Sequence, residues 1–464
     1  MPALSPFSLP EDFLLGTATA SLQIEGGDTN NSWYRWCNEG HIKDGTHCIR
    51  ACDHWNRLEE DISLMQELGT RTYRLGLEWA RIEPEEGRFD GEALAHYRRE
   101  IELLREAGIR PLVTLHHFSN PLWMEDDGAW VNPESVPRFL RYTRRVVETL
   151  GDLVSDWVTI NEPNIYLLFG YVFGEWPPGR RSLRSARKGA RNMARAHAEA
   201  YHLIHQLREE ADYHPKAASM VGVAHHLRVF NPARPGNPLD RFVAGVFDRL
   251  SQDMFVRAMT EGRAVWPMSS LPLVRRIPGL EGLKLPGTRG ARGPGGSRGY
   301  LADFLGINYY SRDFTRASLR PGDLFGKREV PEKAPRNDLG WEIYPEGLYR
   351  VIRRFWERYR LPIFVTENGT ADAADSFRSS YIATHLAEIA RAVGDGVDVR
   401  RYYHWSLMDN FEWVEGLTPR FGLVEVDYAT QERRIRESGR FYAEISRRRG
   451  ADAALLDRYG LAGE

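Results

Sequence analysis

The sequence predicts an α/β chain that closes into a single (β/α)8 TIM barrel, with long βα loops walling a deep pocket. Three observations carry that expectation. Short apolar runs recur along the 464 residues, segments with helical spacing of apolar residues separate most of them, and several runs end on a polar or ionisable side chain. Parallel strands covered by helices read as near-continuous apolar runs, and a count of eight favours closure into a barrel.

In chain order the runs are 13–20 (FLLGTATA), 72–79 (TYRLGLEW), 109–117 (IRPLVTLHH) and 156–162 (DWVTINE). Then come 220–226 (MVGVAHH), 303–310 (DFLGINYY), 362–367 (PIFVTE) and 400–406 (RRYYHWS). Between them lie helical patterns such as GEALAHYRREIELLREAG, which stops at Gly108, a residue suited to ending a helix. In the seventh run Ile-Phe-Val suits a strand buried on both faces, and the following Asn368-Gly369 is expected to break it through turn dihedrals. Glu367 sits at that junction.

A minimal barrel needs about 250 residues, so about 200 are surplus. No Pro/Gly/Ser linker marks a second domain and no repeat is evident, so residues 1–464 read as one domain whose surplus forms loops. The glycine-rich insert 285–299 (LPGTRGARGPGGSRG) has no GK[ST] and no preceding strand, and reads as a surface loop rather than a phosphate cradle.

The net charge of −2, from 62 basic and 64 acidic residues, argues against nucleic acid or an anionic membrane as partner. The basic run 179–191 (GRRSLRSARKGAR) reads as a solvated helix face. No uncharged run approaches membrane-spanning length, and the start lacks the basic and apolar regions of a secretory signal, so a cytoplasmic location is expected. Three cysteines give no disulfide framework, which fits a reducing compartment. Cys37, His41, His47, Cys48, Cys52 and His54 crowd together without a CxxC or HxxxH pair; they read as packed thiols and surface imidazoles, and neither metal nor cofactor is expected. A homo-oligomer is compatible with the chain.

Barrels of this kind place their chemistry at the C-terminal ends of strands. Glu367 occupies such an end, and Glu162 in TINEP occupies another, followed by Pro163, a residue suited to opening a helix. Strands four and seven lie three steps apart in an eight-stranded ring, so their ends face each other across the mouth. Two carboxylates across a sugar-sized gap are the machinery of glycoside hydrolysis, one ionised and one carrying a proton. Each disfavours ionisation of the other. Arg74, on a neighbouring strand, is placed to hold one of them as the anion. The stretch HWSLMDNFEW (404–413) adds Trp405, Glu412 and Trp413, the mixture of aromatic platforms and polar groups that sugars need. Composition alone leaves open that these tryptophans only fill the core.

Eight segments in order, ATASLQIEG, YRLGLEWARIEP, VTLHHF, TINEP, GINYY, GWEIYPEGL, VTENG and WSLMDNFEW, resemble glycoside hydrolase family 1, the retaining β-glucosidases and β-galactosidases. The resemblance covers nearly the whole chain. It implies Glu367 as nucleophile, Glu162 as acid/base and Asn161 as a contact to the 2-hydroxyl. It also implies Tyr310 bonded to the nucleophile and Arg74 helping to keep it ionised. Gln23, His117, Glu412 and Trp413 match the family's hydroxyl-binding set, Trp405 its floor and Trp341 a platform for the leaving group. A cis Trp405–Ser406 peptide is implied too, rare outside proline.

The chain departs from the pattern at Phe118, where many members carry tryptophan. That removes one indole N–H from the sugar contacts and leaves the preference among glucose, galactose and fucose open. Members acting on 6-phosphorylated sugars commonly carry serine at the Glu412 position. Here an acidic residue stands there and the next loop reads TPRFG, with Phe421, so neutral β-glycosides and short oligosaccharides are favoured over the alternative, a 6-phospho-β-glycosidase.

Overall fold

A computed structural model describes residues 4–462, apart from 212–218, 265–282, 285–298, 319, 321–322 and 324–325. Most of the glycine-rich insert therefore lies outside the described residues. Eight parallel strands close into a barrel: β1 (Leu14–Ala18), β2 (Thr72–Gly76), β3 (Arg110–His116), β4 (Asp156–Asn161), β5 (Met220–His226), β6 (Phe304–Asn308), β7 (Ile363–Asn368) and β8 (Val399–Trp405). They pair in sequence order, and β8 closes on β1 through pairs such as Tyr403 with Gly16. Each expected run overlaps one strand; β7 continues one residue past its run, to Asn368, and β8 starts one residue before its run, at Val399.

The principal helices following the strands are α1 (Leu58–Glu67), α2 (Gly91–Glu106), α3 (Ser135–Leu150), α4 (Leu183–Glu210), α5 (Met254–Glu261), α6 (Pro345–Tyr359), α7 (Arg378–Gly394) and α8 (Glu437–Arg448). α2 starts where the Asp90 carboxylate accepts from Glu92 N–H and Ala93 N–H, satisfying amides that have no partner inside the helix. It buries Leu94, Tyr97, Ile101 and Leu104, one stripe of a 3.6-residue repeat. The basic run opens α4, a helix of 28 residues that buries Ala194, Ala198 and Tyr201 on one face. Among the described residues no helix is long and apolar enough to cross a membrane.

The lower end of the barrel is sealed by ions. Arg401 donates to Asp156 Oδ2 at 2.8 Å and Arg110 donates to the same oxygen at 2.6 Å, while the Arg401 guanidinium lies over Phe364. The surplus chain is at the other end. The β1–α1 connection contains the short helix Ser32–Asn38, and the β8–α8 connection a hairpin, Val424–Val426 with Arg433–Ile435. Segments 229–232, 312–317 and 326–329 from the β5 and β6 connections form a small separate sheet.

Two expectations change. Asn368 still belongs to β7, and Gly369 is needed for closeness rather than for a turn dihedral: a Cβ there would lie 1.7 Å from the Trp405 carbonyl oxygen. His54 is no surface imidazole. It is buried, with Nδ1 2.7 Å from Asp61 Oδ2 and Nε2 3.3 Å from Glu100 Oε1. Burial opposes its charge, but the two carboxylates override this and push it up to about 10.

Candidate active site

At the upper end of the barrel, β4 finishes at Asn161 and Glu162 turns out of line at φ 40°, ψ 57°. This is the left-handed region, which side chains with a Cβ rarely adopt. Pro163 then takes the first position of the helix Pro163–Leu167, where its missing N–H costs nothing. Phe118 (φ 66°) and Trp413 (φ 51°) share this unusual backbone state. On the other side, the β6–β7 register shifts next to Asn308, which pairs directly with Glu367.

A continuous set of hydrogen bonds joins the two glutamates. Glu367 Oε1 accepts from the Arg74 guanidinium, and Oε2 accepts from the Tyr310 hydroxyl at 2.6 Å. The other terminal nitrogen of Arg74 donates to Asn161 Oδ1 at 2.6 Å. Asn308 Nδ2 donates to that same oxygen at 3.0 Å and to Glu162 Oε1 at 2.8 Å. His226 Nδ1 lies 3.1 Å from Glu162 Oε1, while Arg228 approaches His226 Nε2 at 2.7 Å. An arginine nitrogen can only donate, so Nε2 holds the lone pair and Nδ1–H points at the glutamate. Glu162 Oε1 thus receives two hydrogen bonds, which leaves Oε2 as the oxygen for a proton.

The two carboxylates differ in their partners. Burial pushes Glu367 up, Arg74 pulls it back, the nearby Glu162 charge pushes again and Tyr310 pulls, leaving it at about 7. Arg74 therefore does favour the anion, against a larger opposing effect of desolvation. Glu412 is raised to about 8 by burial first and by the Glu367 charge second.

Burial, then the Arg74 charge, hold His117 well below the usual imidazole range, so its ring is neutral. Asn161 Nδ2 donates to His117 Nε2 at 2.8 Å, which puts the ring proton on Nδ1, a buried atom with no protein partner. Gln23 Nε2 donates to Asn410 Oδ1 (2.9 Å) and the Phe411 carbonyl (2.8 Å), and reaches Glu412 Oε2 at 3.3 Å. Gln23 Oε1 is likewise buried without a partner. Among the described residues, His117 Nδ1–H and Gln23 Oε1 are thus a donor and an acceptor without a protein partner, where buried polar atoms are normally paired.

Aromatic rings surround this network. Trp405 lies 5.9 Å and Trp413 5.6 Å from His117, ring centre to ring centre, and Phe118 lies 5.1 Å from Trp413. Tyr310, Trp341 and Phe421 form a second group with separations of 5.8 to 6.5 Å. The Trp405–Ser406 peptide is cis. Trp341 is 36% exposed whereas Glu162 and Glu367 are 5% and 3% exposed, so the rim is aromatic and the carboxylates lie deep.

Every residue that the sequence singled out for the site belongs to this one connected set. The sequence reading missed Asn308, His226, Asn410, and the two rings that pack on Trp413, Trp33 at 4.9 Å and Trp176 at 5.9 Å. Asn308 had a signal, since it sits in GINYY at a strand end one step from Glu367.

The chain matches Glycosyl hydrolase family 1 over residues 6–451. It is 33% identical over 462 residues to Beta-glucosidase A of Thermotoga maritima, covering 96% of this chain and 98% of the relative. Its fold is similar to that of the beta-glycosidase from Pyrococcus horikoshii, with TM-score 0.86, 37% identity and 98% of each chain covered. It is similar also to the Beta-glucosidase from Thermotoga maritima in complex with glucoimidazole, with TM-score 0.84, 31% identity, and 96% of this chain and 100% of that one covered. With this match spanning the barrel and both glutamate-bearing strands, the chain belongs to glycosyl hydrolase family 1 and is a glycoside hydrolase.

Proposed function

We propose that the chain is one catalytic unit, a cytoplasmic, exo-acting retaining β-glycosidase. It removes terminal non-reducing β-D-glucosyl residues, and galactosyl and fucosyl residues as well, from small glycosides and short oligosaccharides. The observation that carries this reading is the unequal treatment of the two carboxylates. Glu367 is held by a guanidinium and a phenol, partners suited to an anion. Glu162 is held on one oxygen by an amide and an imidazole, partners that leave its second oxygen free to carry a proton.

In this scheme Glu367 attacks the anomeric carbon while Glu162 protonates the departing oxygen, giving a covalent glycosyl-enzyme with inverted configuration. Esterification removes the Glu367 charge. Glu162 then ionises more easily, takes a proton from water, and the second inversion restores the β configuration. Retaining geometry calls for carboxyl groups about 5–5.5 Å apart. The unspent Nδ1–H of His117 and Oε1 of Gln23 suit a sugar hydroxyl, which both donates and accepts. The relative bound to glucoimidazole supports a sugar-like occupant.

Neutral sugars fit better than 6-phosphates. Burial first and the Glu367 charge second raise the Glu412 carboxyl, so an added phosphate dianion would meet a buried acidic environment. Proton NMR of the first-formed sugar tests the scheme: a β anomer is expected, and an α anomer would rule it out. Parallel assays on an aryl β-glucoside and its 6-phosphate test the substrate class, with turnover expected on the first.

A further inference from the structure

The helix Ser32–Asn38 and the turn after it bring together three side chains that the glycosidase chemistry does not use. Cys37 and Cys48 are free, buried thiols whose sulfurs lie 3.7 Å apart. His47 joins them: one ligand atom from each of Cys37, His47 and Cys48 lies within 4.8 Å of the others. The third thiol, Cys52, donates elsewhere, to the Asp409 carbonyl at 2.9 Å.

The spacing discriminates among uses of two thiols. A disulfide needs sulfurs about 2.05 Å apart, so the pair would have to close by more than an ångström. Two Zn–S bonds of about 2.3 Å at a tetrahedral angle set the sulfurs about 3.8 Å apart. The imidazole is in the matching tautomer. His47 Nδ1 accepts from the Ile49 N–H at 3.0 Å, so it carries a lone pair, and Nε2 lies 3.4 Å from Asn38 Oδ1. Zinc would replace the Ile49 N–H at Nδ1, while the opposite N–H stays directed at an oxygen, as in a metal-binding histidine.

We propose that Cys37 Sγ, Cys48 Sγ and His47 Nδ1 form a zinc site. Water completes the fourth position on the half-exposed His47 side. Binding breaks the two S–H bonds, forms two Zn–S bonds and one Zn–N bond, and releases both thiol protons to solvent, with no change of oxidation state. The Ile49 N–H loses its imidazole acceptor to the metal.

The site would act as a fastener rather than as a catalytic centre. Between its ligands, Lys43 N–H donates to the Val414 carbonyl at 2.9 Å, and Asp44 Oδ2 accepts from the amides of Leu417 (2.8 Å) and Thr418 (3.0 Å). Trp33, on the same short helix, packs against Trp413 at 4.9 Å. Fixing the 37–48 turn would therefore brace, from outside the pocket, the loop that carries Glu412 and Trp413. The pattern is a helix end plus a turn rather than a CxxC pair, so spacing along the chain hides it.

The test uses the whole enzyme, reduced, stripped with a chelator and titrated with Zn2+ against a chromogenic competitor. One zinc per chain at submicromolar Kd is expected, with release of thiol protons, a higher Tm and loss of thiol reactivity. His47→Ala, at a half-exposed position that should not disturb folding, should weaken binding at least tenfold, and Cys48→Ser at least a hundredfold, whereas Cys52→Ser should leave it intact. Substoichiometric zinc, binding unchanged in both Cys48→Ser and His47→Ala, binding of cuprous ion alone, or oxidation of Cys37 and Cys48 to a disulfide that zinc does not prevent would each overturn the proposal.

Discussion

Tyr310 donates its hydroxyl to Glu367 Oε2 at 2.6 Å, and it is one of the groups that lower the pKa of that carboxyl against the effect of burial. Tyr310→Phe removes the donor, so the pKa of Glu367 should rise above its value of about 7. Attack needs the ionised form. The acid limb of kcat/KM should therefore move to higher pH, and activity at pH 6 should fall more than at pH 9. Loss of a hydrogen bond to a charged group, about 1.5–3 kcal/mol, corresponds to roughly 10- to 150-fold in rate. A pH profile of kcat/KM checks this; a parallel drop at every pH would contradict it.

The role of Glu162 is separable by leaving group. Glu162→Gln should lower kcat/KM on an alkyl β-glucoside by roughly 10²- to 10⁴-fold, the range of general acid catalysis. On an aryl glucoside with an acidic phenol, which departs without a proton, the loss at the glycosylation step should be far smaller. Equal losses on both substrates would remove Glu162 from the acid role.

His226 acts through Glu162. Its Nδ1–H reaches Oε1 at 3.1 Å and is oriented by Arg228, whose own charge is balanced by Asp313 at 2.7 Å. His226→Ala leaves Asn308 as the remaining donor to that oxygen, so kcat on the alkyl glucoside should drop by about tenfold, the value of one hydrogen bond. KM should change little. A KM effect with kcat preserved would show that His226 serves binding instead.

His54 sets a stability test at the base of the first βα connection. Its pKa is raised from 6.5 to about 10 in the folded chain, so the native state binds an extra proton between those values. That contribution is complete below pH 6.5 and fades as pH rises through 10. His54→Gln should cost about 3 kcal/mol or more at pH 6, the penalty for breaking a buried pair, and less at pH 10. Thermal unfolding of both proteins across this range measures the difference, and a gap that does not narrow with pH would refute it.

The barrel was legible because period and length suffice for it. Apolar runs such as IFV at 363–365 can be buried only where both faces are covered, and a glutamate at the end of one has few places to go. Glu162 and Glu367 were legible for that reason. His226 was not, because an imidazole at a strand end carries no mark of the carboxylate it meets; Asn308 was overlooked although its place in GINYY puts it at a strand end beside Glu367. Gly369 was misjudged because sequence shows a residue's dihedral freedom but not a carbonyl approaching from another strand. His54 was misjudged because its carboxylates, Asp61 and Glu100, come from two different helices.

Arg74 is wholly buried, and its anionic partner is Glu367. Cutting that carboxylate away, as in Glu367→Gly, leaves a buried guanidinium without its carboxylate beside open space the size of a small ion. Such a void recruits: azide or formate supplied from buffer would lodge against the stranded cation, aimed where the missing side chain once struck. The crippled protein should then regain turnover in azide, releasing glycosyl azide of opposite handedness at the anomeric carbon.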